Sequence, residues 1–267
     1  MRRAGAPAVV LLAAAAVVIA GCAGPGPGSA AATSPTSRPS SDAAASTLTV
    51  FAAASLAAVF DELADRFEAE HPDVDVVVNS GGSGALAEQI VQGAPADVFA
   101  AAAEGPMQRV VEAGLAETPV VFATNTLELV VPAGNPAGVA GLEDLEREEL
   151  RIALCDESVP CGAAGVRLFA AGAVKPVPDT LESDVTAVLT KVALGEVDAG
   201  VVYRTDVLAA GDAVERIEVP ETASVVTRSP IAAMTDPAAP AIAAEFVELV
   251  TGDVGRRALA DAGFGAP

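Results

Sequence analysis

Three hydroxyl side chains stand where they could meet a ligand. Ser55 follows the β-rich run "TLTVFA" and precedes a helical pattern. Ser83 sits among Gly81, Gly82 and Gly84 just ahead of another helical pattern. Tyr203, the single Tyr of the chain, closes the apolar run "AGVVY". Glycines let backbone approach a bound group closely, and a helix N-terminus offers free N–H groups with a partial positive charge. Two more helix starts, at Cys161–Gly162 in "VPCG" and at Asp184–Val185, could present N–H groups in the same way. Such donors suit an anion. The plainer reading stands beside this one, because Ser55 and Asp184 each occupy a position where a simple N-cap would serve.

Catalysis finds little support. A Ser nucleophile needs a base, and the sole His, His71, falls at the far end of the helix that follows Ser55. No Lys stands three residues after Ser55, Ser80, Ser83 or Ser183, and G-x-S-x-G is absent. "GSGALA" formally matches the dinucleotide pattern G-x-G-x-x-A, but the next strand opens on Asp97 instead of ending on an acid. Cys155 and Cys161 close the short loop "CDESVPC". An exported chain can oxidise such a pair, and the lone His argues against a metal site, so a disulfide is the favoured reading.

The elements that position these residues alternate. "LAAVFDELADRFEAEH" spaces Leu56, Val59, Phe60, Leu63 and Phe67 for one helix face and stops at Pro72. "VDVVVN", "ADVFAAA", "TLELVVPAG", "LRIALC" and "AGVVYRTDV" read as strands, the last running out at Tyr203. "GALAEQIVQG", "PMQRVVEAG", "GAAGVRLFAAGAV" and "SDVTAVLTKVALGEV" read as helices, and Gly252 divides a closing helical pair. The alternation predicts an α/β fold, in which ligands bind beyond the carboxyl ends of strands.

Residues 1–21 are predicted to be a signal peptide, with Arg2 and Arg3 before an apolar run from Ala8 to Ala20 that is too short to span a bilayer. Its end, "VIAGC", resembles the lipobox of bacterial lipoproteins, which implies lipidation of Cys22. Residues 22–46, rich in Gly, Pro, Ser and Ala, read as a flexible tether. The net charge of −21 argues against nucleic acid and would repel an anion at long range.

"VFAAASL", "GGSGALAEQI", "GAPADVFAAA", "VPCG", "GVVY" followed by "TD", and the closing "FVELVTG…ALADAGF", in this order, resemble the periplasmic molybdate-binding proteins of ABC importers. The resemblance covers nearly all of Thr47 to Phe264. It implies a two-lobed type II periplasmic-binding fold with two hinge crossovers, lobe one being 47–123 and 229–267 and lobe two 124–228. It further implies that molybdate or tungstate is held by the hydroxyls of Ser55, Ser83 and Tyr203 and by the N–H groups of Cys161 and Val185, in a cleft of donors alone. No cofactor and no catalysis are implied. The expected partners are an ABC permease and, through the lipid anchor, the outer face of the cell membrane; the expected state is a monomer.

Overall fold

The computed structural model describes residues 46–267. The predicted signal peptide, the lipidation site Cys22 and almost all of the tether lie outside the described residues. The chain opens with strand β1 (Ser46–Ala53), a 3-10 turn (Ala54–Leu56) and helix α1 (Ala57–Glu70). Then come β2 (Val74–Gly81), α2 (Ser83–Val91), β3 (Val98–Ala100) and α3 (Glu104–Glu112). The long strand β4 (Val120–Pro132) leads to β5 (Ile152–Cys155), α4 (Pro160–Gly172), β6 (Thr180–Glu182), α5 (Val185–Ala193) and β7 (Ala199–Tyr203). Helix α6 (Arg204–Ala210), β8 (Val214–Ile217), β9 (Val226–Ala233), α7 (Pro240–Thr251) and α8 (Asp253–Asp261) complete it.

The strands lie in the order β2-β1-β3-β9-β4-β7-β5-β6, with β8 also on β4. β1 is parallel to β2 and β3, and β9 runs antiparallel between β3 and β4. β4 is the joint of the molecule. Its first half, Val120 to Thr126, pairs with β9, and its second half, from Leu127, pairs with β7 and β8. One strand therefore leaves the first sheet and enters the second, and β9 begins beside that passage. The result is an α/β fold of two sheets joined through β4.

Side-chain alternation explains the packing. In β1, Val50 faces a core with Phe60, Leu63 and Phe67 of α1, while Phe51 faces the opposite side with Leu86, Ile90 and Met107. Phe60 meets Phe122 edge-on at 5.9 Å and Phe246 of α7 at 6.2 Å, which ties the last helices to the first.

Helix α6 and strand β9 carried no expectation from the sequence, nor did the short strands β6 and β8. β7 ends at Tyr203 as expected, and Arg204 to Ala210 then forms helix α6, begun by Asp206, whose Oδ2 accepts the Tyr203 N–H at 2.9 Å. β9 carries no clear strand signal because Pro230 sits within it. A bulge in β4 between Val121 and Ala123 accommodates this proline, which donates nothing to the ladder; its carbonyl still accepts from the Ala101 N–H at 2.9 Å.

Candidate oxyanion site

Ser55, Ser83, Cys161, Val185 and Tyr203 come from the five separate stretches singled out in the sequence. All five line one cavity of about 20 Å³. Four starts of helical structure converge there: the 3-10 turn before α1, then α2, α4 and α5. No Lys or Arg lines the cavity.

Each residue arrives with a different device. Ser83 is the first residue of α2 and is 2 % exposed; its Oγ accepts the Ala102 N–H at 3.0 Å, which leaves its hydroxyl proton to donate. Ser55 belongs to the 3-10 turn, not to a cap position. It makes no side-chain hydrogen bond among the described residues, so the simple capping role is not what it performs. Cys161 and Val185 are the second residue of α4 and the first of α5, where a backbone N–H has no acceptor inside the helix. Asp184 does cap α5, accepting the Ala187 N–H at 3.0 Å through Oδ1.

Tyr203 is the most exacting member. It is 2 % exposed, and its hydroxyl is the one fully buried side-chain polar atom without a hydrogen-bond partner among the described residues. Burial pushes its pKa well above the usual 10, and the charge of Asp206 adds to this, against smaller opposing effects of the Arg167 charge and of the Thr227 side chain, which approaches the phenol without completing a hydrogen bond of good geometry. The phenol therefore keeps its proton and can donate it. Asp206, beneath it, is raised to about 7, chiefly by burial; the Tyr203 N–H opposes the rise and Asp184 adds to it.

Cys155 and Cys161 are bonded, with Cα atoms 5.7 Å apart. The bridge holds the turn that delivers the Cys161 N–H. Gly162 follows because a Cβ there would lie 1.9 Å from the Asp156 carbonyl oxygen. Among the described residues no group of three or more His, Cys, Asp or Glu could hold a metal ion. His71 ends α1, stacked on Phe67 at 4.2 Å, and gives none of the serines a base. A cavity of this size has no room for a dinucleotide.

Gly82, part of the glycine run that the sequence marks for close backbone approach, lines the cavity beside Ser83. One contribution was not read from the sequence. Ala102 supplies the N–H that orients Ser83, a pairing with no local signal. Asp184, which caps α5 through its side chain, is also among the residues that line the cavity.

The model of the bacterial extracellular solute-binding proteins matches residues 48–265. The chain belongs to this family. This solute-binding protein is 43% identical over 224 residues to the molybdate-binding protein ModA of Mycobacterium tuberculosis, covering 84% of the chain and 86% of that protein. It is 33% identical over 177 residues to the ModA of Haemophilus influenzae, covering 61% and 68%. Its fold matches the periplasmic molybdate-binding protein of Azotobacter vinelandii with a TM-score of 0.72, at 23% identity, over 82% of this chain and 99% of that one. Its relatives are solute-binding proteins of transporters and not enzymes.

Proposed function

We propose that this solute-binding protein captures molybdate, and tungstate with it, and delivers the anion to an ABC permease. The observation that carries the reading is the buried Tyr203 hydroxyl without a partner, lining one small cavity with Ser83, Ser55 and the starts of α4 and α5. A buried donor left unpaired costs about 1–3 kcal/mol, and an oxyanion would satisfy it. Four helix starts at roughly half a charge each offset a dianion without a counter-ion. The molybdate-binding relatives support the choice of ligand.

In this reading residues 47–123 with 229–267 form lobe one and 124–228 form lobe two. The hinge is β4 near Thr126 together with the start of β9. The protein works as an exported monomer held at the outer face of the membrane through Cys22. No helix among the described residues is long and apolar enough to cross a membrane.

A second ligand reading concerns Asp184, which lines the cavity: with a carboxylate oxygen turned inward, a protonated anion such as hydrogen phosphate would find an acceptor that molybdate does not need. Thermal shift with molybdate, tungstate, sulfate and phosphate separates the two readings, because a ligand raises the midpoint by mass action. The expected order is molybdate and tungstate together, then sulfate, then phosphate. A larger shift with phosphate than with molybdate would overturn the molybdate reading.

A further inference from the structure

Two larger clefts of opposite character share lining residues with the cavity. One, of about 550 Å³, shares Ala54 and Asp184 with the cavity and is lined by two acids, Asp184 and Glu196, and one cation, Lys191. That cation is paired with Glu182 at 2.6 Å. The other, of about 480 Å³, shares Val159 and Pro160 with the cavity and is lined by Arg109, Arg167 and Arg228, with Glu104 as its one acid. In a chain of net charge −21, three arginines with one acid around a single opening form a local reversal of the prevailing field.

The three arginines come from separate places: Arg109 from α3, Arg167 from α4 and Arg228 from β9. Only Arg228 is paired among the described residues, with Glu104 at 3.5 Å. Arg109 and Arg167 form no ion pair there and extend into water. The influence of Arg167 reaches the site itself, since it draws the Tyr203 phenol back against the effect of burial.

We propose that the anion enters through the arginine-lined cleft, and that Arg109, Arg167 and Arg228 form an electrostatic funnel that sets the capture rate without touching the bound ion. The inference rests on the reading of the cavity as an oxyanion site. A cleft of one sign concentrates field lines and raises the on-rate of an oppositely charged ligand, while the acidic surface elsewhere repels it. The acidic cleft on the other side would turn a dianion away.

The test measures affinity by calorimetry and the off-rate from release of radiolabelled molybdate into unlabelled excess; their quotient is the on-rate. The double variant Arg109→Gln/Arg167→Gln should lower the on-rate about tenfold at low ionic strength with the off-rate unchanged. The gap should close at about 1 M salt, where the screening length falls to about 3 Å. Glu104→Gln should raise the on-rate. Arg66→Gln, which removes a cation from the exposed face of α1, should change nothing. An unchanged on-rate in the double variant, a loss residing in the off-rate, or an equal loss with Arg66→Gln would overturn the funnel alone. Failure of the unsubstituted protein to bind molybdate, tungstate, sulfate or phosphate would instead remove the oxyanion reading, and the funnel with it.

Discussion

Gly82 faces the carbonyl oxygen of Ser183 so closely that a Cβ would lie 2.7 Å from it. The two residues are about a hundred positions apart and meet across the cavity. The backbone of Gly82, with φ −61° and ψ 126°, is open to any residue. Space alone therefore demands glycine. Gly82→Ala should weaken molybdate binding at least about tenfold, or about 1.4 kcal/mol, because the edges can no longer meet. The ligand-free protein should unfold at nearly the same midpoint. Calorimetry gives the affinity and small-angle scattering the contraction upon binding; an Ala variant that binds and contracts like the parent would refute the contact as a condition of closure.

Tyr203→Phe should move affinity and stability in opposite directions. Removing a buried hydroxyl without a partner should stabilise the ligand-free protein by about 1 kcal/mol. Losing a bond to a charged group should cost about 1.5–3 kcal/mol of binding. Denaturant unfolding and calorimetry on the same variant test both signs, and unchanged affinity would reduce Tyr203 to packing.

Ser83→Ala should lose on both counts. The anion loses a donor, at about 1.5–3 kcal/mol, and the buried Ala102 N–H loses its acceptor, at about 1–3 kcal/mol of stability. A variant with full affinity would show that the freed proton of Ser83 is not used.

Breaking the Cys155–Cys161 bridge with a reductant should cost about 2 kcal/mol of stability for so short a loop, and affinity as well, since the bridge holds the start of α4. Reduction that left molybdate affinity intact would separate the bridge from the site.

Asp206 gives a pH dependence of definite sign. Its folded pKa is about 7 against 3.8 for the free group, so the folded state holds a proton that the unfolded state has lost between those values. The contribution of Asp206 to stability therefore falls as pH rises from about 4 to about 7, by up to about 4 kcal/mol. Asp206→Asn keeps an acceptor for the Tyr203 N–H and removes the titration. The variant should match the parent near pH 4 and exceed it at pH 8. An equal difference at both pH values would show that Asp206 does not titrate in this window.

Local pattern carried α1 well, because Val59, Phe60, Leu63 and Phe67 repeat on one face and Pro72 ends it. The break between α7 and α8 was equally plain at Gly252. β9 was hidden for the opposite reason: Pro230 spoils the local pattern, and the partners that fix the strand, in β3 and β4, are distant in sequence. α6 lacked a standard cap residue at Tyr203, and Asp206 reaching back to the Tyr203 N–H supplies what the pattern did not show. At the site, hydroxyls before helices were visible one at a time. Their convergence was implied only by family resemblance. Which partner Ser83 takes depends on residues brought up by the tertiary fold.

The position of β9 between β3 and β4 has a consequence for the order in which the molecule is made. The second sheet draws on residues 127–217, a nearly continuous stretch that can assemble as it emerges from the ribosome. The first sheet cannot close until Val226–Ala233 has been synthesised, although its opening strand is among the earliest residues of the folded region. Contacts of such wide sequence separation form slowly, because a long loop must be closed before they reward it. The N-terminal part of the nascent chain thus waits, with the edge of β3 unpaired, for a strand that arrives near the end of translation.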